Sequence, residues 1–185
     1  MPHPAAERPM KGAFIVLEGP DFCGKGTQHE LLCNHLFDHP QDRDKLITVV
    51  RTREPSNSHY TQEIRRLLKS GFNINETGIT LAELYVSDRI AHIHSVILPC
   101  LATGNIVVSD RYKYSTLAYQ HAQGVQMDRL LKLHERMPIP DIVFFIEVPF
   151  KERLRRKAAA LNRSFVDVFD TSRELQEKLD KNYAL

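Results

Sequence analysis

No apolar run in the sequence approaches the ~18–20 residues a helix needs to cross a bilayer, so the reading contains no membrane span. Cysteine is scarce. Cys23, Cys33 and Cys100 are an odd count with no metal-ligand spacing, which excludes a disulfide framework and fits a reduced, cytoplasmic setting. Charge of one sign is also lacking. A formal net charge of +2 is too small to argue for a nucleic-acid or membrane partner. The chain shows neither internal repeats nor a second domain. Residues 1–11 hold proline and alanine but no apolar signal core, and read as a disordered tail. The nine histidines read as incidental; His92 and His94, two apart on a helix, point in different directions and do not readily share a metal. What is present suits one folded domain over 12–185: 42% hydrophobic and 26% charged residues, at a length that buries a substantial core.

The most informative stretch is Phe14–Gln28. Phe14-Ile15-Val16-Leu17 is a short apolar run that reads as a buried strand. The loop Gly19-Pro20-Asp21-Phe22-Cys23-Gly24-Lys25-Gly26-Thr27 follows, and then a helical pattern opens at Gln28. This is strand, glycine loop, helix, with the phosphate-loop spacing G-x-x-x-x-G-K. Gly19 and Gly24 allow backbone N–H groups to turn inward around crowded phosphate oxygens. The helix N-terminus adds its positive dipole end, and Lys25 a mobile full charge. One position departs from the motif. Gly26 stands where a Ser or Thr hydroxyl usually meets Mg²⁺, and the hydroxyl comes one place later on Thr27.

Strand and helix patterns then alternate. Strands are expected at 46–50, 106–110 and 142–148, and helices at 61–70, 81–102, within 111–123, at 127–135, 150–161 and 171–185. Pro99 is placed to bend or shorten the long helix 81–102. Near-continuous apolar strands between helices indicate an α/β fold, three layers with a parallel sheet covered on both faces. Ligands in such folds sit at the carboxyl ends of strands, where the loop after Leu17, Arg53-Glu54 and Asp110-Arg111 all fall. Asp110 closes a strand and reads either as a carboxylate holding Mg²⁺ or as a helix N-cap. Arg53 and Arg111 converge with Lys25 on one crevice, which suggests transfer between two phosphates.

These pieces resemble the thymidylate kinase family of the P-loop nucleoside monophosphate kinase fold. The resemblance is carried by Gly19–Thr27 with Asp21 inside it, Thr52-Arg53-Glu54-Pro55, Glu63-Ile64-Arg65 with Leu67-Leu68, Leu84-Tyr85-Val86-Ser87-Asp88-Arg89, Asp110-Arg111-Tyr112, and Ser115-Thr116 with Ala118-Tyr119-Gln120. It implies ATP and Mg²⁺ as cofactors, dTMP as acceptor, and a homodimer formed through the long helices. By resemblance the loop residues Gly19, Pro20, Asp21, Phe22, Cys23, Gly24, Lys25, Gly26 and Thr27 hold the donor phosphates, and Thr27 and Asp110 serve the metal. Asp21 would contact the sugar 3′-hydroxyl and position the acceptor, while Arg53 and Arg111 would hold its phosphate. Tyr85 would stack on thymine or be a core residue of its helix. Arg89, one turn further on, would bond a thymine carbonyl or make a surface ion pair. Thr116 would face the N3 edge of the base, with Tyr119 and Gln120 on the sugar side.

Phe22 occupies a position where some members carry a catalytic arginine. A lid over about 153–170 is then expected to supply it, from Arg163 or Arg156. Val168 stands where the family's lid has a further arginine. The family continues beyond Tyr183-Ala184-Leu185 with another strand and helix, so the chain reads as short or truncated there, with a sheet edge left open. An adenylate-kinase-like enzyme and a non-catalytic nucleotide-binding P-loop protein are the alternative readings.

Overall fold

A computed structural model describes residues 12–39, 48–69, 77–160 and 173–183. The tail 1–11, the strand start at Leu46-Ile47 and the lid residues from 161 to 170, with Arg163 and Val168, lie outside the described residues. Four strands form one parallel sheet: β1 (Ala13–Glu18), β2 (Val49–Arg53), β3 (Ile106–Asp110) and β4 (Ile142–Phe145), in the order β2-β3-β1-β4. The helices are α1 (Lys25–Asp38), α2 (His59–Lys69), α3 (Gly78–His92), α4 (Leu98–Ala102), α5 (Lys113–Ala122), α6 (Met127–His134), α7 (Phe150–Ala160) and α8 (Arg173–Tyr183).

The period-two alternation of β1 divides the core between two layers. Phe14 and Val16 face one side, with Val107, Ile93, Ile97 and Leu101. Ile15 and Leu17 face the other, against Val108 and Cys33 of α1. A third cluster joins α2, α3, α5 and α8 through Ile64, Leu81, Ala118, Leu175 and Leu179. Full burial of a side chain of this kind contributes about 1.5–3 kcal/mol. Register then fixes the site: Leu17 pairs with Asp110, and Asp110 with Arg53, so the ends of three strands lie in one row.

β2 runs on through Arg53 rather than ending at Val50, and four further local features differ from the sequence reading. First, α1 starts at Lys25, three residues before Gln28, because Gly24 adopts φ 97° at the N-cap and turns the chain straight into the helix. Second, the long helix is not one regular α-helix. Ile93–Ile97 forms a π-helical turn between α3 and α4. Pro99 has no N–H, and its ring crowds the carbonyl four residues back; the wider turn, with the Leu98 N–H reaching the Ile93 carbonyl, relieves both. Third, β4 ends at Phe145 rather than Val148. Fourth, covering on both faces holds for β1 and β3 but not for β4, whose four residues remain 39–47% exposed at the sheet edge.

Candidate active site

The loop after β1 is held in a shape that few side chains tolerate. Gly19 has φ 143°, and a Cβ there would lie 2.5 Å from the Ile146 carbonyl oxygen. Phe22 takes φ 62° without being glycine, a strained conformation that marks the loop as built for close backbone approach. Lys25 is buried, and its Nζ donates to the Pro20 carbonyl at 2.9 Å. Burial, then the Arg111 cation, lower its pKa. An anion placed in the loop reverses that pressure.

Arg111 joins this loop to the next element. It too has a left-handed φ, 74°. Its Nη1 donates to the Gly19 carbonyl (3.2 Å) and Ser115 Oγ (2.8 Å), and its Nη2 to Asp21 Oδ1 (2.5 Å). The other Asp21 oxygen accepts from the Tyr119 hydroxyl at 2.6 Å. Asp21 sits in a crevice yet keeps 42% of its side chain open to solvent. Burial acts to raise its pKa, but Arg111, Lys25 and the Tyr119 hydroxyl overcome that and lower it to about 2. Behind this pair lies Glu18, 1% exposed. It accepts from the Tyr112 and Ser115 N–H groups and from Ser115 Oγ (2.6 Å), which fixes the start of α5. Burial raises its pKa. Tyr183 of α8 closes the same corner, its hydroxyl 3.1 Å from Ser115 Oγ and 3.3 Å from the Gly19 carbonyl.

Asp21, Arg53, Tyr85, Arg89, Arg111, Thr116, Tyr119 and Gln120, all singled out from sequence, line one cleft of about 250 Å³. Arg89 is not a surface ion pair. It is 2% exposed and bonds Glu54 (2.6 Å), His134 Nε2 (2.7 Å), the Tyr112 carbonyl and Thr116 Oγ1 (both 3.1 Å). Three of the nine histidines, His29, His92 and His134, are not incidental either. His92 donates from Nδ1 to Glu54 (3.0 Å) and pairs through Nε2 with Thr52 (2.6 Å); His29 Nε2 meets the Val108 carbonyl at 2.9 Å. His94 is exposed, so His92 and His94 do point apart. Sequence reasoning missed Glu18, Glu54, His92, His134 and Tyr183 as parts of the site. Their partners within the site lie 35 to 165 residues away, and no local pattern signals such pairing.

A second cleft, of about 710 Å³, has Cys23, Gly24 and Thr27 of the loop, with Leu32, Phe145 and Arg156, among its walls. Arg156 lies against the loop itself. Its Nη1 donates to the Cys23 carbonyl at 3.0 Å, and Glu152 holds its Nε at 2.9 Å. The hydrogen bonds and charges of Arg155 and Arg156 lower the Glu152 carboxyl to about 2. Arg153 turns away and is 3% exposed, paired with Asp180 and Gln176 of α8, so it braces two helices rather than facing solvent beside a lid.

Asp110 and Thr27 do not share a cleft. Asp110 lines a third recess with Gly26, Thr52 and Arg53. Its Oδ1 is buried without a hydrogen-bond partner, a costly state for a carboxylate oxygen unless a cation or water meets it. That orphan atom fits Mg²⁺, which takes one or two carboxylates and completes its shell with water and phosphate oxygens.

Among known proteins, the thymidylate kinase family model matches residues 17–184. A probable thymidylate kinase of Pyrococcus abyssi is 38% identical over 177 residues, covering 94% of this chain and 82% of that protein. A thymidylate kinase of Desulfotalea psychrophila is 35% identical over 145 residues, 78% of this chain and 68% of its own length. The crystal structure of thymidylate kinase from Ehrlichia chaffeensis superposes with a TM-score of 0.62 at 29% identity, over 82% of this chain and 83% of that one.

Proposed function

The chain belongs to the thymidylate kinase family, and on that premise we propose that it transfers the γ-phosphoryl group of ATP to dTMP, giving dTDP and ADP. One observation carries the reading: Arg111 bonds the phosphate loop through the Gly19 carbonyl and the acceptor cleft through Asp21, so the two nucleotide sites meet at one guanidinium. The dTMP phosphate is already ionised, and its oxygen attacks the γ-phosphorus in line while the bond to the β-phosphate oxygen breaks. No side-chain base is required. The protein supplies alignment and charge.

In this reading Lys25 leaves the Pro20 carbonyl for the β- and γ-phosphates. Arg53 and Arg111 grip the acceptor phosphate, and Asp21 takes the sugar hydroxyl. Tyr85 offers its ring to the base. Phe22 brings no cation, and Arg156, seated over the loop carbonyls, is the described arginine nearest the donor phosphates. Arg163 remains the other candidate. Asp110 would hold Mg²⁺ beside the loop, partly through water; when bound, the ion neutralises charge across the donor phosphates. Thr27, facing the other cleft, contributes to the donor side instead. A cytoplasmic setting and a homodimer through α3, where Ile90 is 46% exposed, complete the proposal. Among the described residues no helix is long and apolar enough to cross a membrane.

The test is ADP release with ATP and each of dTMP, dUMP, AMP, CMP and GMP. We expect dTMP to be strongly preferred to AMP, CMP and GMP. Preference for AMP would return the adenylate-kinase-like reading. Binding of both nucleotides without ADP release would return the non-catalytic one.

A further inference from the structure

We infer that His134 is a positioning residue for base discrimination, the acceptor that fixes the Arg89 guanidinium behind the acceptor cleft. The inference rests on the function proposed above. His134 lies on α6, outside every sequence block that carries the family resemblance.

A guanidinium has five N–H groups, accepts nothing and keeps its proton. Arg89 sends Nε–H to Glu54, one Nη1–H to His134 Nε2, and its two Nη2–H groups to the Tyr112 carbonyl and Thr116 Oγ1. One N–H on Nη1 is left for a ligand. Because Arg89 can only donate, His134 Nε2 must carry a lone pair. The hydrogen then sits on Nδ1, which donates to the Leu130 carbonyl at 2.7 Å. His134 is 3% exposed, so both bonds are held by packing. The tautomer is dictated by its neighbours rather than chosen.

The consequence reaches the base. Thr116 Oγ1 accepts from Arg89 with one lone pair and keeps a second for the N3–H of thymine. Arg89 presents its remaining donor to the adjacent ring carbonyl; cytosine carries an amino group there and no hydrogen on N3, so both contacts disfavour it. Without an acceptor at 134, Nη1 has two unpaired N–H groups in a site with almost no solvent. The guanidinium is then expected to turn away from this plane to find partners.

The experiment compares steady-state kinetics of the full chain and two variants with dTMP, dCMP and ATP, beside thermal melts. For His134→Leu we expect KM for dTMP to rise about tenfold or more. The dTMP-to-dCMP ratio of kcat/KM should fall, with KM for ATP unchanged. His134→Gln, whose amide oxygen can accept from Arg89, should recover most of the loss. A folded His134→Leu protein with unaltered dTMP KM and discrimination overturns the inference. Ring ¹⁵N shifts of His134 in the ligand-free protein test it independently of substrate and of variant folding. Protonated Nδ1 with bare Nε2 supports it, and protonated Nε2 overturns it. Should the wild-type protein leave dTMP unphosphorylated, the functional reading fails while the ring shifts still judge the Arg89–His134 contact.

Discussion

At the scale of single residues, the site is a set of charges held in pairs, Arg111 with Asp21 and Arg89 with Glu54. In the proposed transfer, Lys25 and Arg111 are the cations that neutralise the phosphates. Lys25→Ala or Arg111→Ala should lower kcat/KM by roughly 10²–10⁴. Circular dichroism should show either variant still folded; near-normal turnover in either would count against the assignment. His134 gives a pH signature. Burial, then Arg89 and Lys113, lower its pKa from 6.5 to about 4, against the opposing pull of the Leu130 carbonyl. Glu54 faces it only through Arg89. Between those two values the unfolded chain holds a proton that the folded chain lacks. Stability therefore rises with pH across that window and its contribution is complete above 6.5, amounting to about 3 kcal/mol. His134→Gln removes the titration. The melting-temperature difference between wild type and variant should grow from pH 4.5 to 6.5 and then level off; a constant difference would refute this. The residues legible in advance were those inside spaced motifs, such as Asp21, Arg53, Arg89 and Arg111. Glu18, His92 and His134 were not, because each acquires its role from a partner that only the tertiary fold brings near.

At the scale of elements, the carboxylate of Asp88 ties α3 to the start of α2. It accepts from the Ser56 N–H and hydroxyl, the Ser58 hydroxyl and Thr61 Oγ1, at 2.6–3.0 Å. Those bonds shape the turn between β2 and α2, which sets Arg53 and Glu54 on its strand side and Arg65 of α2 in the cleft wall. Asp88→Ala should cost about 1–3 kcal/mol in urea unfolding and loosen that turn. A loss below about 0.5 kcal/mol would mean that water replaces the carboxylate readily. The strands and helices themselves were largely readable from apolar runs and periodicity. The exceptions have local causes. Gly24 starts α1 early, Pro99 forces a π-helical turn, and β4 stops where its pairing with β1 ends. Periodicity registers apolar spacing, and none of these depends on it.

At the scale of the molecule, the sheet order β2-β3-β1-β4 sets the loop, Asp110 and Arg53 in one row and leaves β4 at an edge among the described residues. The apolar run 142–145 and an open sheet edge were both legible, but not which strand forms that edge, since a buried and an edge strand share the same composition. An unpaired apolar edge invites association with other chains. Val143→Lys should slow concentration-dependent light scattering while leaving ADP release intact, and unchanged scattering would show that β4 is not the sticky surface. If Arg111, bonded to both the phosphate-loop Gly19 carbonyl and Asp21, serves both nucleotides as proposed, the phosphoryl group passes directly between them, which ³¹P NMR of the protein with MgATP and dTMP follows. Resonances of ADP and dTDP should grow in equal amounts as those of ATP and dTMP fall. ADP accompanied by free phosphate and unchanged dTMP, or no reaction at all, would rule out the proposed transfer.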